Sequence, residues 1–400
     1  MSGWSVETPN SVCNVDTMNI LIVVTHLLGS GHLRRAINLA QEFVTSGHSV
    51  TLASGGLPVK NFSTEGFALE QLPPLRSDGT NFTRLLDADG DVADDRYLQA
   101  REDRLREIVK SLQPEVIITE LFPFGRRMLR REFIGLLEAA QSIPSVPAVL
   151  SSVRDILAAP SSEKKALQTE SLIEKYYDGV LVHSDPATTP LGVSWPVTDL
   201  IQSKLFYTGY VAQSVSEYTT NKNTAEIIVS AGGGSVGRRV YETAIEAARL
   251  SSRTSWRILV GGSDAQQEVA RLQTLAASSS ADSTTHIEPN RPDFRELLSR
   301  AACSVSMCGY NTAIDLLLTG TPGVLIPFDA GGEKEQTLRA ASLSERAAYK
   351  LLLDKDLTAE SLQQAVAQAT EAGRFATDKK QFNGALETVR FATRLAEQKR

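Results

Sequence analysis

Short apolar runs alternate along this chain with stretches in which apolar side chains recur every three or four residues. The first pattern suits a strand buried on both faces and the second an amphipathic helix, so the alternation predicts parallel strands joined by crossover helices. In the first half the predicted strands are NILIVVT (Asn19 to Thr25), SVTLAS (Ser49 to Ser54), EVIIT (Glu115 to Thr119), VPAVLSS (Val146 to Ser152) and DGVLVHS (Asp178 to Ser184). Between the first two, Leu33, Ala36, Ile37, Ala40, Phe43 and Val44 share a helical face that Gly47 terminates. A second series runs through AEIIVSAGGG, SWRILVGG, THIEP, ACSVSM and PGVLIPF, and the polar segment LFYTGYVAQSVSEYTTNKNT joins the two.

The expected fold is α/β, with two doubly wound Rossmann-like domains facing across a cleft, since ligands of such sheets sit at the carboxyl ends of the strands. The expected boundaries are a mobile leader over 1–17, a first domain over 18–212, a second over 213–378, and a last helix over 379–400 that could pack back on the first domain. Four hundred residues are enough for two cores.

Composition narrows the function classes. With 42% hydrophobic and 22% charged residues the chain is of ordinary globular type, and its net charge of −6 gives no overall attraction to nucleic acid, so no nucleic-acid partner is expected. No apolar run approaches the ~20 residues that span a bilayer, and the first residues lack the pattern of a signal peptide. Cys13, Cys303 and Cys308 form no CxxC pair and no disulfide framework. The chain is therefore expected to be cytoplasmic, with contact at the inner face of the membrane as an option.

Five stretches carry candidate chemistry. GSGH (Gly29 to His32) follows the first strand. Gly29 and Gly31 would let backbone approach a ligand, and a neutral His32 could take a proton from a sugar hydroxyl near neutral pH. A plain turn with a capping histidine is the competing reading. VSAGGGSVGRRV satisfies GxGxxG at Gly232, Gly234 and Gly237, with Asp264 after the next strand, which admits a dinucleotide-binding oxidoreductase. It reads better as a backbone cradle for a nucleotide's phosphates, built by Gly233, Gly234, Ser235 and Gly237, with a ligand-free turn as the alternative.

In MCGYNTAID, Gly309 ends a strand, Asn311 and Thr312 could cap the next helix, and Asp315 could accept hydrogen bonds from a ribose; a carboxylate that merely stabilises the helix dipole is the other reading. Glu335 and Gln336 open a further helix and could hold the hydroxyls of a donor sugar, or be a solvated face. Last, TELFPFGRRMLRREF places Glu120, Arg126, Arg127, Arg130 and Arg131 after a strand of the first domain. The arginines suit an acceptor's phosphates, an anionic lipid surface or a solvated helix face. Arg154 and His183 sit at later strand ends, Cys303 and Cys308 read as buried thiols, and DADGD (Asp87 to Asp91) reads as a solvated loop rather than a metal site.

The ordered set GSGH, GGSVG, GYNTAID, GTPGVLIPF and EQ resembles the MurG-like glycosyltransferases, family 28 of the GT-B class, over most of residues 18 to 350. The resemblance matches Gly31 and His32 to the end of a glycine-rich loop whose histidine is a base or acceptor-site residue. It matches Gly233, Gly234, Ser235 and Gly237 to a phosphate loop, Gly309 and Thr312 to a helix-opening turn, and Gln336 to a glutamine near the donor sugar. Asp315 stands where the family has the glutamate that holds the ribose, while Leu27, Leu28 and Val236 depart from the family pattern.

The resemblance implies an inverting, metal-independent hexosyltransferase without a cofactor, acting on a nucleotide sugar such as UDP-N-acetylglucosamine and on an acceptor glycan, lipid-linked sugar or small molecule. On that reading Gly29, Gly31, Glu120, Arg126, Arg127 and Arg154 are acceptor-side residues. GSGHLRRAINLA also looks like the loop of nucleotide-sugar hydrolases of the pseudaminic acid pathway, which makes hydrolysis the alternative. A non-catalytic nucleotide-sugar sensor is a further class, separable because it would not depend on His32 for chemistry.

Overall fold

The structure, a computed structural model, describes residues 16–27, 30–59, 63–77, 84–212, 225–233, 237–250, 254–262, 264–277, 285–328 and 334–400. Its strands form two sheets. β1 (Asn19–Val24), β2 (Ser49–Gly56), β3 (Ala68–Ser77), β4 (Leu85–Leu86), β5 (Val116–Glu120), β6 (Ala148–Arg154), β7 (Gly179–His183) and β8 (Leu205–Tyr207) lie in the order β4-β3-β2-β1-β5-β6-β7-β8. β1 pairs in parallel with β2 and β5, β2 with β3, and β7 with β8, while β4 is antiparallel to β3.

The second sheet is parallel throughout, with β9 (Glu226–Gly233), β10 (Ser255–Gly261), β11 (Thr285–Pro289), β12 (Cys303–Ser306), β13 (Gly323–Leu325) and β14 (Tyr349–Leu351) in the order β11-β10-β9-β12-β13-β14. The α/β class and the two Rossmann-like sheets therefore stand as expected. The joining segment, however, begins as a strand, because Leu205–Tyr207 pairs with Val180–Val182.

Contacts gather these elements into two compact units. The first takes in the residues up to Glu120 with Met128–Leu150 and Val389–Arg400, and the second takes in Leu121–Arg127 with Ser151–Thr388. In the first, β1 is buried from Ile20 to Val24, and Phe43, Leu105, Phe133 and Leu136 are fully buried as well. At its edge Lys399 Nζ donates to the Pro147 carbonyl at 2.9 Å, and Arg400 pairs with Glu115 and Asp16.

In the second unit the parity of β9 divides the core. Ile227 and Val229 join Tyr241, Trp256 and Ile258, whereas Ile228 joins Leu259, Ile314, Leu325 and Phe382. Both faces are covered, which is why the strand reads as an unbroken apolar run. Among the described residues no helix is long and apolar enough to cross a membrane.

A buried charge pair anchors the first unit. Arg101 Nε and Nη2 donate to the two carboxylate oxygens of Glu132 at 2.7 and 2.9 Å, and Nη1 donates to the Gly55 carbonyl at 3.0 Å. Removing one partner of such a pair strands a buried charge. Arg101→Met is accordingly expected to lower stability by about 3–5 kcal/mol, read by denaturant unfolding; a loss within experimental error of zero would show that Glu132 finds another partner.

Candidate functional site

Each sheet has one place where the strand order reverses. In the first, the chain runs from β1 outward through β2 in one direction and from β5 through β6 in the other, so the connections leaving β1 and β5 diverge and open a crevice at their carboxyl ends. His32 lies in the first turn of the helix Gly31–Thr45 that follows β1, and Glu120 is the last residue of β5.

Position 32 and position 35 are one helical turn apart, which puts His32 and Arg35 side by side. Both reach Glu120. His32 Nδ1 is 2.8 Å from Glu120 Oε1, Arg35 Nε donates to Oε2 at 3.3 Å, and Arg35 Nη2 contacts Oε1 and lies 3.2 Å from His32 Nδ1. Arg35 and Glu120 are buried, while the imidazole keeps 16% of its exposure. Burial alone would push the Glu120 carboxyl up. The Arg35 guanidinium and the His32 hydrogen bond outweigh it and hold the group well below its usual 4.5. An ionised carboxylate only accepts, so the proton of a neutral His32 resides on Nδ1 and the ring's lone pair on Nε2.

Around this cluster the sequence-predicted neighbours divide. Gly31 is the first helical residue, without positive φ, and among the described residues a Cβ there would meet nothing within 4 Å beyond its chain neighbours and its own helix. Gly29 lies outside the described residues, as do residues 1–15 of the expected leader. Arg131 is held by Glu102 at 2.9 Å and by Gln99, and Arg130 is exposed. Arg126 and Arg127 belong to the second unit. Arg126 has a left-handed φ of 58°, and Arg127 lies over the Trp195 ring at 5.8 Å. The four arginines thus do different things locally.

The second sheet reverses between β9 and β12, and the two glycine-bearing motifs follow those strands. Gly233 ends β9, while Gly234 and Ser235 lie outside the described residues. Gly237 precedes the helix Arg238–Arg249, where a Cβ would lie 2.7 Å from that of Ala231 and 3.1 Å from the Tyr241 ring, so close packing alone requires glycine there. Gly309 is the N-cap of the helix Tyr310–Thr319. Asn311 and Thr312 do not cap it, because they already belong to its first turn and no side chain closes that end. Asp315 is paired with Arg295, whose Nε donates to Oδ1 at 2.8 Å.

Glu335 and Arg154, expected on the donor and acceptor sides respectively, bind each other inside the second unit. Glu335 Oε1 also meets Arg339 Nη2 at 2.9 Å, and Arg339 grips Asp155 through Nε and Nη2 at 2.6 and 2.8 Å. Burial opposes both charges of that last pair. Their mutual attraction nonetheless pulls the Asp155 carboxyl below its usual range and lifts the guanidinium above its own. Gln336 Oε1 accepts from the Phe328 N–H at 3.2 Å, which ties the start of the helix Glu335–Ser344 to the residues after β13. Cys303 and Cys308 are buried thiols, both pushed up to about 12 by desolvation. In the DADGD loop Asp87 Oδ1 accepts from the N–H groups of Asp89, Gly90 and Asp91, closing a turn.

Arg35, Asp155 and Arg339 are the residues that sequence reading missed. The HxxR spacing at a helix start is the signal that could have found Arg35. A helix-opening ExxxR on Glu335 and Arg339 is the corresponding signal in the second unit.

One further property marks the reversal points. The helices that open at Gly31, Arg238 and Tyr310 have neither a capping side chain nor an acidic residue in the first turn. Every other described α-helix has one or the other, as with Asp94 and Asp95 at the helix Asp95–Leu112 or Thr358 and Glu360 at the helix Ala359–Ala372. Three uncapped helix starts, each following β1, β9 or β12, offer N–H groups and positive dipole ends to an anion.

Comparison with known proteins agrees with this layout. Residues 228–395 match the model of the glycosyltransferase family 28 C-terminal domain. A UDP-N-acetylglucosamine--N-acetylmuramyl-(pentapeptide) pyrophosphoryl-undecaprenol N-acetylglucosamine transferase 1 of Bacillus cereus is 24% identical over 293 residues, covering 71% of this chain and 72% of its own. A Desulfitobacterium hafniense transferase of the same description is 28% identical over 134 residues, 32% of this chain and 36% of its own. Among solved structures, MurG of Acinetobacter baumannii superposes with a TM-score of 0.63 at 15% identity over 94% of this chain and 99% of its own. The calicheamicin glycosyltransferase CalG4 does so at 0.57 and 15% over 96% and 95%. At such identities the superpositions speak for the fold, and the family match and the curated relatives speak for the kind of protein: the chain has the GT-B fold, carries a glycosyltransferase family 28 C-terminal domain over residues 228–395, and resembles the MurG-like glycosyltransferases.

Proposed function

We propose that the chain transfers the sugar of a UDP-sugar, with UDP-N-acetylglucosamine the first donor to test, to an acceptor hydroxyl with inversion and without metal or cofactor. The observation that carries this reading is the 2.8 Å contact between His32 Nδ1 and the buried Glu120 carboxylate. It orients the imidazole through Nδ1 and places the ring's lone pair on Nε2, the form that a general base needs. Nε2 takes the acceptor's hydroxyl proton as that oxygen attacks the anomeric carbon. The bond to the diphosphate breaks with its electron pair, and the UDP leaves from the opposite face.

The leaving diphosphate needs compensating charge, and the uncapped helix starts after β9 and β12 can supply it through backbone N–H groups. Gly233, Gly234, Ser235, Gly237, Gly309, Asn311 and Thr312 would line that donor site. Asp315 and Gln336 would hold ribose and sugar, with Asp315 oriented by Arg295. Glu335, engaged with Arg154 and Arg339, is better suited to fixing the helix start than to binding a hydroxyl. The name of the Bacillus cereus relative makes a pyrophosphoryl-polyprenol-linked sugar the acceptor class to try first, with contact at an anionic membrane surface through Arg126, Arg127, Arg130 and Arg131 as its corollary.

His32→Ala is expected to lower turnover by roughly 10²–10⁴-fold with UDP-sugar binding nearly intact. The wild-type rate limb that rises through the histidine range should vanish with it. Near-normal turnover with the same limb would reduce His32 to a helix-start residue. Proton NMR of the product should show the anomeric configuration inverted, and EDTA should leave the rate unchanged; retention, or loss of activity restored by a divalent cation, would overturn that part.

A third expectation concerns Glu120. Its carboxyl sits below 4.5 in the folded protein, so its contribution to stability is fully present above 4.5 and is lost as pH falls through the lowered value. Wild type should exceed Glu120→Gln by about 3–5 kcal/mol at neutral pH, with the gap closing on acidification. A gap that does not change with pH would mean that the carboxylate is not paired as described.

A further inference from the structure

The geometry points to Arg35 as a positioning residue of the His32 site, its guanidinium balancing Glu120 so that the imidazole stays uncharged with Nε2 ready to accept a proton. The inference rests on the reading of His32 as the base and adds what keeps that base in its working form.

Two charged groups among the described residues lie against Nδ1 of the imidazole, Glu120 from the end of β5 and Arg35 from the histidine's own helix. A carboxylate 2.8 Å from Nδ1 does two things at once. It orients the ring, and by itself it favours the imidazolium, which has no lone pair left to accept a proton. Because Glu120 is almost wholly buried, little solvent screens that second effect. Arg35 answers it from the same buried pocket. Its Nε donates to Oε2 at 3.3 Å, its Nη2 contacts Oε1, and that same Nη2 lies 3.2 Å from His32 Nδ1.

The carboxylate therefore keeps its orienting hydrogen bond while its charge is matched. Two donors on one planar fork reach both oxygens, a geometry that guanidinium offers and ammonium does not. A cation against Nδ1 also disfavours protonating the ring, which reinforces the same outcome.

The test follows the His32 ring directly in the full chain labelled with ¹⁵N-histidine, its signals identified among the five histidines by their loss in His32→Gln. Wild type should show the Nδ1–H tautomer when neutral. In Arg35→Met the midpoint of the His32 titration should rise by about one pH unit or more, while Arg35→Lys, which keeps the charge, should stay close to wild type. If Arg35→Met does not fold, Glu120→Gln is compared with the Glu120→Gln, Arg35→Met double variant, in which the midpoint should be the higher of the two because the cation is gone.

An unchanged midpoint in Arg35→Met, or no difference within the second pair, overturns the inference and leaves Arg35 a packing residue. The rate profile of the same variants separates this from the fate of the base itself. A limb that moves with the NMR midpoint supports both readings, and a midpoint that moves while the limb stays fixed upholds Arg35 and removes His32 as the base.

Discussion

The reversal of strand order in each sheet is the constraint on which the rest depends. Parallel strands must be joined by crossovers of one hand, so a sheet that grows outward from its middle in both directions has one position where adjacent connections part company. In the first sheet that position is β1 against β5 and in the second β9 against β12. Residues just beyond those strand ends have no crossover helix above them. That is why a histidine, a carboxylate and two glycine-bearing turns from distant parts of the sequence become candidates for chemistry.

Three buried arginines show how similar pairs come to differ in role. Arg101 with Glu132 and Arg339 with Asp155 are nearly inaccessible and satisfy their donors on carboxylate and carbonyl oxygens, so they cross-link the elements that carry them. Breaking such pairs is costly because the remaining ion is desolvated. Arg35 with Glu120 has the same form, but its carboxylate serves a third group that is still partly open to solvent. The buried pair thus becomes the fixed support of a side chain able to exchange a proton.

Much of this was legible in the sequence, for identifiable reasons. β1, β5 and β7 are buried along nearly their whole length, and because both faces are covered their apolar runs read without ambiguity. β3 escaped because ALEQLPPLRS carries two prolines and is exposed at its start, and β8 and β14 because three residues, LFY and YKL, hold no period. The site was half legible. Strand-end motifs located His32, Glu120 and the glycine turns, since position relative to a strand is a one-dimensional property. Which side chains meet is not. The residues at 32 and 35 are joined to that at 120 only by the pairing of β1 with β5, and Arg154 meets Glu335 only in the folded unit.

The helix starts extend the argument from geometry to charge. A helix N-terminus leaves up to four N–H groups without intrahelical partners, and most helices of this chain meet that need with a side-chain cap or a first-turn carboxylate. The helices following β1, β9 and β12 do neither. A carboxylate in those first turns would occupy the N–H groups and repel a phosphate, so its omission at the reversal points preserves a capacity for anions that capping would remove. In the second sheet two such ends follow adjacent strands, the arrangement that the proposed diphosphate of the donor would require. In the first, the uncapped end begins one residue before His32, so an anion drawn to that end would meet the turn that holds the histidine. The pattern of caps therefore sets the helix starts at the reversal points apart from the other described ones.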